Sequence, residues 1–284
     1  MSKKILVTGC AGFIGSNLVD FFLKKNYSII GIDNLSTGKI EFLDKALKNK
    51  RFIFVKEDLL KYSKIKKFFS NVKLVIHLSA NADVRHGPKH PTKDLKQNLI
   101  VTSNILEAMR INGVKKIVFS STGSVYGEAK EFPTPEDTFF PVQTSFYGSS
   151  KLSAEALISA YAYAFGIKCW IFRFVSVLGP RYTHGHVIDF YKKIITKRKT
   201  INVLGNGNQK KSYIHVYDCI NAIYKSLKHF TDNVNIINIG HDNFITVKKS
   251  LKKIKKTGWK PKVKILDAIE DTVNFIKNNK WILK

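Results

Sequence analysis

The stretch Lys3–Phe22, KKILVTGCAGFIGSNLVDFF, decides how the rest of the chain is read. An apolar run, Ile5-Leu6-Val7, stops at three glycines, Gly9, Gly12 and Gly15, and an amphipathic helical pattern starts among them. Glycines at that handover are explained if something negatively charged comes close to the backbone. Gly9 permits the tight turn, Gly12 lets a pyrophosphate approach, and Gly15 allows close helix packing. The helix N-terminus then offers unpaired N–H groups and the positive end of its dipole. The spacing Gly-x-x-Gly-x-x-Gly is one residue longer in its first gap than the common dinucleotide fingerprint, so a second signal is needed. The stretch Ile29–Gly38, IIGIDNLSTG, supplies it: Asp33 stands where an acid accepts hydrogen bonds from an adenosine ribose and repels a 2′-phosphate. NAD is therefore expected rather than NADP. Asp58, in VKEDLL, is either a partner for the adenine amine or a helix cap.

Outward from this stretch the pattern alternates. Strands are predicted at Lys3–Thr8, Ser28–Ile32, Phe52–Val55, Leu74–His77, Lys116–Phe119 and Cys169–Phe174. Helices are predicted near Phe13–Lys24, Ile40–Lys48, Tyr62–Phe69, Thr92–Ile111 and Tyr147–Phe165. Strand and crossover helix in turn give an α/β fold with a Rossmann-like, doubly wound parallel sheet, whose ligands sit at the carboxyl ends of the strands. Beyond Ser176 the rhythm turns irregular, with a helix at Val187–Thr196, a strand at Ile201–Leu204 and a GNGN turn. We therefore expect a nucleotide-binding domain over residues 1–175 and a smaller substrate-binding region over 176–284, interleaved with the first as a cap on the sheet.

Composition narrows the class. The 284 residues carry 48 Lys and Arg against 21 acids, a net charge of +27. Most of the basic residues are lysines spread along the whole chain, as in KYSKIKK (Lys61–Lys67) and KKSLKKIKK (Lys248–Lys256). Arginine, the better fork for bases and phosphates, is scarce, so a solvated surface is expected rather than a nucleic-acid footprint. No apolar run is long enough to cross a bilayer, and no secretory leader is visible at Met1. Cys10, Cys169 and Cys219 have no ligand-like spacing, which suits a reducing cytoplasm and no metal. His184 and His186, in THGH, read as a substrate loop, and His77 as a packed residue.

A tyrosine and a lysine four apart on a helix share a face, and the ammonium then favours the phenolate as a base. The pattern occurs at Tyr62/Lys66, Tyr126/Lys130, Tyr147/Lys151 and Tyr224/Lys228, so spacing alone decides nothing. Context favours Tyr147 and Lys151, which open a long helix and follow the hydroxyl-rich FSSTGSVYG (Phe119–Gly127) at the end of the fifth strand.

Together VTGCAGFIG, IDNLSTG, FSSTGSVYG, YGSSK, RFVSVLGPR and GNGNQKKSYIHVYD resemble the extended short-chain dehydrogenase/reductase superfamily, in particular its NAD-dependent nucleotide-sugar epimerases of the UDP-glucose/UDP-galactose 4-epimerase type. The likeness runs from Lys3 to about Ile239 and resumes at TGWKP. It implies a cytoplasmic isomerase of carbohydrate metabolism, a homodimer built on helices near Leu99–Ile111 and Leu152–Phe165. In such a protein NAD takes hydride from C4 of the sugar and returns it to the other face of a 4-keto intermediate. By the same resemblance Tyr147 is the base, Lys151 binds the nicotinamide ribose and lowers the Tyr147 pKa, and Thr122 holds the reacting hydroxyl, a role Ser121 could share. The cofactor set is Gly9, Gly12, Phe13, Ile14, Gly15, Asp33, Asn34, Ser36, Gly38, Asp58, Leu59, Leu78, Ala80 and Asn98, with Tyr147 and Lys151. The substrate set is Ser121, Thr122, Tyr147, Ser176, Val187, Lys211 and Tyr213.

Gly123-Ser124 stands where related 4,6-dehydratases carry an Asp-Glu pair, so dehydration lacks its acid and base. Decarboxylation of UDP-glucuronate stays open. Ser176 replaces a usual Asn, Lys211 a usual Arg, and the chain is short between NIGHDNFITV and TGWKP, where relatives carry a second diphosphate-binding Arg. A weakly active NAD-binding relative that docks a partner through its basic surface is the alternative.

Overall fold

In a computed structural model of the chain the described residues are 3–81, 87–131, 133–138, 142–185, 188, 212–240, 263 and 265–283. Seven strands form one parallel sheet. They are β1 (Lys4–Thr8), β2 (Ser28–Asp33), β3 (Phe52–Lys56), β4 (Leu74–His77), β5 (Lys116–Thr122), β6 (Lys168–Phe174) and β9 (Val234–Ile239). Their order is β3-β2-β1-β4-β5-β6-β9. The order reverses between β1 and β4, and in open α/β sheets that reversal opens a crevice beyond the carboxyl ends of the strands. A second pair, β7 (Ser176–Leu178) and β8 (Tyr213–His215), lies apart from the main sheet.

Period-two alternation explains the two-sided core. Ile5, Val7, Trp170 and Phe172 point to one face, and Leu6, Cys169 and Ile171 to the other. The first face is covered by α1 (Phe13–Lys24) and α7 (Val216–His229), the second by α5 (Val101–Ile111) and α6 (Phe146–Phe165). Shorter pieces, α2 (Asp44–Leu47), α3 (Tyr62–Ile65) and α4 (Pro91–Asp94), complete the crossovers, and α8 (Ile265–Asn278) follows near the end.

The predicted helix at 92–111 is three pieces: α4, a wider π-type segment Leu95–Ile100, then α5. Those at 40–48 and 62–69 each join α-helical and 3-10 turns. Strand β5 runs three residues further than expected, because Ser120, Ser121 and Thr122 pair in register with Phe172, Arg173 and Phe174. The periodic pattern of α7 and the branched run of β9 were not read from the sequence. Both lie beyond residue 175, yet β9 completes the edge of the main sheet against β6. The helix expected at 187–196, the strand at 201–204 and the GNGN turn fall outside the described residues, Ile188 apart.

Capping fixes where α6 starts and stops. Gly148 N–H donates to Ser145 Oγ at 3.0 Å, and Gly166 closes the helix in a left-handed conformation, φ 61°. Asn17 Nδ2 donates to the Pro180 carbonyl and Arg181 pairs with Asp20 at 2.7 Å, so α1 is tied to the segment after β7.

Candidate active site

The loop after β1 is built around missing side chains. Gly9 sits at φ +67°, a conformation that disfavours a Cβ, and a Cβ there would stand 2.8 Å from the Ser79 nitrogen. The turns leaving β1 and β4 therefore close on each other at the switch point. A Cβ on Gly15 would collide with the Gly9 carbonyl oxygen. On Gly12 it meets only that same oxygen, at 3.2 Å, and otherwise stands in open space. Gly12 is also the N-cap of α1, with no side chain to satisfy the first-turn N–H groups of Phe13, Ile14 and Gly15, and no acid stands in that turn. A cradle that a methyl group would begin to fill, with backbone donors and a positive dipole end facing it, fits a pyrophosphate.

Asp33 ends β2 beside this loop. Its Oδ2 accepts from Ala11 N–H at 3.0 Å and its Oδ1 from Leu35 N–H at 2.8 Å. Burial raises its pKa, and the two backbone donors oppose that rise. Gly38 packs so close that a Cβ would lie 2.9 Å from Asp33 Oδ1. Asn34 Nδ2 donates to Asp58 Oδ2 at 3.4 Å, and Asp58 Oδ1 caps Leu60 N–H at 2.9 Å. Asp58 thus caps a turn and also faces Asn34. Asn34 accepts from the Ser36 N–H at 3.0 Å, and Leu59 is buried next to Asp58. An acid paired with backbone donors, beside a glycine cradle, is a donor–acceptor set that fits the adenosine half of NAD.

Leu78 and Ala80, part-exposed, leave the end of β4. Asn98 is 1% exposed and already occupied: it accepts from Asn81 N–H at 2.8 Å and donates to Ser150 Oγ at 2.9 Å. It pins the loop after β4 to α6. His77 is fully buried between Thr8 Oγ1 at 2.8 Å and Thr102 Oγ1 at 3.0 Å, and burial holds its pKa well below the ordinary value.

The hydroxyl cluster and α6 meet across β5. The Thr122 side chain lies near enough to the Tyr147 phenol to oppose the rise of its pKa, and both residues are part-exposed. Lys151, one turn along, is 1% exposed, its ammonium 4.2 Å from the centroid of the Phe119 ring. Lys151 is expected to lower the Tyr147 pKa, and within the chain itself the balance at the phenol runs upward. Burial raises Tyr147 to about 12, the Thr122 side chain pulling it back and the Asp94 charge adding to it. Burial also pushes Lys151 down to about 7, with Glu155 opposing. The cause at both groups is burial, and the Lys151 ammonium rests over an aromatic face. Asp94 is 1% exposed; its Oδ1 accepts from Asn81 Nδ2 at 2.7 Å, and its Oδ2 has no hydrogen-bond partner among the described residues.

Ser121 and Thr122 diverge although adjacent. Ser121 is 3% exposed and its hydroxyl donates to Glu155. Thr122 Oγ1 stays at the cleft, accepting from Ser124 N–H at 3.1 Å. Ser176 and Tyr213 are register partners on β7 and β8, so two residues of the substrate set stand side by side. Val187, Lys211 and His186 lie outside the described residues, as does the basic stretch 248–256. His184 is exposed and stacks on Tyr182.

Sequence reasoning missed Glu155, Arg173 and Asp94. A signal existed for two of them: Glu155 continues the four-residue spacing Tyr147, Lys151, Glu155, and Arg173 is a charge inside the apolar strand KCWIFRF.

Residues 5–240 match the NAD dependent epimerase/dehydratase family. The chain is similar to a UDP-glucuronate 4-epimerase of Thermodesulfobacterium geofontis, 30% identical over 318 aligned residues that cover 98% of each protein. Among solved structures it is similar to UDP-glucose 4-epimerase of Thermotoga maritima with UDP-glucose, with a TM-score of 0.84 and 31% identity over 98% of this chain and 99% of that one. It is also similar to UDP-glucuronic acid 4-epimerase of Bacillus cereus with UDP-glucuronic acid and NAD, with a TM-score of 0.87 and 29% identity over 97% and 99%.

Proposed function

The chain belongs to the NAD dependent epimerase/dehydratase family, and from that premise we propose that it is an NAD-dependent isomerase that inverts C4 of a UDP-sugar. The observation that carries the reading is the meeting of Thr122, at the carboxyl end of β5, with Tyr147 in the first turn of α6, beside the switch-point crevice.

Bound NAD supplies a reversible hydride acceptor, which makes C4 a ketone for part of the cycle. The chain's own residues do the rest. The glycine cradle and α1 N-terminus hold the pyrophosphate, and Asp33, with Asn34, Ser36, Gly38, Asp58 and Leu59 near it, holds the adenosine end. Leu78, Ala80 and Asn98 shape the wall between β4 and α6. Tyr147 takes and returns the proton of the 4-hydroxyl, Thr122 orients that hydroxyl, and Lys151 supplies positive charge at the nicotinamide ribose. A nearby cation is what a phenol pushed up to about 12 needs to become a base at neutral pH. Ser176, Val187, Lys211 and Tyr213 belong to the sugar-nucleotide side, in a substrate region over 176–284. Gly123-Ser124 in place of an acid–base pair removes dehydration, which leaves epimerisation as the first reading and decarboxylation of UDP-glucuronate as the second.

The relatives named above act on UDP-glucose and UDP-glucuronic acid, and both belong in the assay. The protein loaded with NAD is incubated with UDP-glucose, UDP-galactose, their N-acetyl forms and UDP-glucuronate, and proton NMR follows the C4 epimer. A C4 epimer of one of them supports the reading. Pentose formation from UDP-glucuronate would assign decarboxylation instead, and no turnover of any sugar would favour a binding protein.

The assembly we propose is a homodimer through the outer faces of α5 and α6, where Ile111, Tyr163 and Phe165 are exposed, together with Ile100 just before α5. Nucleic acid is not part of it. None of the described helices is long and apolar enough to cross a membrane, and three buried free thiols suit a reducing cytoplasm.

A further inference from the structure

Below the reacting groups lies a polar network that the chemistry above does not use. Arg173, 8% exposed, forms a fork with Glu155: Nη2 donates to Oε2 at 2.7 Å, and Nε to both carboxylate oxygens at 3.2 Å. Ser121, the register partner of Arg173 across β5 and β6, donates its hydroxyl to the same carboxylate. The remaining nitrogen, Nη1, donates to Tyr126 Oη at 2.9 Å and to the Glu136 carbonyl at 3.0 Å. Tyr126 in turn donates to Asn238 Oδ1 at 2.7 Å, at the end of β9. One buried pair thus joins β5, β6, β9, α6 and the segment around Glu136.

Its place on α6 gives it a second role. Tyr147, Lys151 and Glu155 are each four residues apart, so they stack on one helix face, with Lys151 between the phenol and the carboxylate. A buried charge is kept only where a counter-charge or hydrogen bonds hold it. Lys151 faces an aromatic ring from β5 and the neutral His77 from β4, and Tyr147 stands one turn before it on the same helix. Glu155 is the acid on that face. Arg173 takes part of its charge, and so sets how much of it Lys151 feels.

We propose that the Glu155–Arg173 pair is a positioning device for this reaction centre: it keeps Lys151 cationic and holds the Ser121 hydroxyl as an internal donor, so that Thr122 alone of the two meets the substrate. The inference rests on Tyr147 and Lys151 being the reacting pair. Burial pushes Lys151 to about 7 and Glu155 opposes that push, in the same direction as the geometry.

The test uses the full chain loaded with NAD. Its lysine side chains are followed by carbon NMR across pH, and the Lys151 signal is assigned by its loss in Lys151→Met. Glu155→Gln removes the counter-charge and leaves Arg173 unbalanced, so the Lys151 titration moves down by about one pH unit or more. Arg173→Met releases the full carboxylate charge, so the titration moves up by a similar amount. Should either single variant fail to fold, the double variant Glu155→Gln/Arg173→Met has no net buried charge, and its Lys151 titrates below that of the parent. In the epimerase assay the high-pH limb of kcat moves the same way in each variant, with KM little changed. Titrations unmoved in all the folded variants, or moved together in the two singles, overturn the inference. Shifts as expected without turnover of any sugar would remove the functional reading alone.

Discussion

The Thr122 side chain approaches the Tyr147 phenol closely enough to oppose the rise of its pKa, which brings the last residue of β5 to the first turn of α6. Neither element holds the pair by chance of spacing. Thr122 is placed by its register with Phe174 on β6, and Tyr147 by the Ser145 cap two residues before it. The Tyr126 hydroxyl, from another Tyr-x-x-x-Lys pair, is instead held by Asn238 and Arg173 in a buried network.

Replacement of Tyr147 by Phe removes the base and keeps the ring. The expected loss in kcat is about 10²- to 10⁴-fold, the usual span for a positioned acid–base group. Bound NAD, read by absorbance after denaturation, stays within about twofold, since the cradle lies in the loop after β1.

The phenol itself gives a pH prediction. Tyr147 stands at about 12 because burial disfavours the phenolate and the Asp94 charge adds to that. In NAD-free protein the tyrosine absorbance that disappears in Tyr147→Phe therefore forms above pH 11. Asp94→Asn brings it down, because a negative neighbour no longer opposes a negative phenolate. The sign for stability follows. Between pH 10 and 12 the unfolded chain loses this proton before the folded one, so the Tyr147 contribution to stability falls as pH rises through that window.

Ser121→Ala and Thr122→Ala separate two adjacent hydroxyls. Thr122 faces the cleft and Ser121 is buried on Glu155. Thr122→Ala loses at least tenfold more kcat than Ser121→Ala, measured on the same sugar; equal losses would remove the distinction.

The glycine loop separates binding from folding. Gly15→Ala drives a Cβ into the Gly9 carbonyl, a collision with backbone that overpacking data place at about 1–3 kcal/mol. Thermal unfolding shows it as a Tm lower by several degrees. Gly12→Ala meets only the Gly9 oxygen, at 3.2 Å, which a shift of a few tenths of an ångström relieves; it folds, but weakens NAD binding by about tenfold or more, read by calorimetry.

Asp33→Asn keeps one acceptor for the Ala11 or Leu35 N–H and discards the charge. NAD weakens about tenfold, since a hydrogen bond to a charged group contributes about 1.5–3 kcal/mol. NADP loses less than NAD, because the repulsion of a 2′-phosphate goes too. Equal losses for both would show that Asp33 does not choose between them.

The parallel sheet and the switch-point crevice were legible because each strand before residue 175 is a short apolar run with a helix behind it. Gly9, Asp33, Thr122, Tyr147 and Lys151 were legible because turns and strand ends restrict residue type. Glu155 and Arg173 were not, although both sit in elements that were read correctly. A charge that survives burial does so through a partner from another element, and the α6–β6 pairing that brings this partner is a tertiary fact. The upward balance at Tyr147 was not legible for a related reason: the four-residue spacing puts Lys151 on the right helix face, but the burial of both groups is a tertiary fact. β9 and α7 were missed because the irregular stretch after Ser176 broke the rhythm that had identified the earlier elements.

The central claim is a transient ketone at C4, formed and reversed without release. A UDP-sugar deuterated at C4, the one found to turn over, tests it most directly when the epimer is read by mass and NMR. Deuterium kept at C4 of the inverted product, with none gained from or lost to solvent, is the result predicted. Deuterium washed out into water, or inversion at a carbon other than C4, would contradict the account.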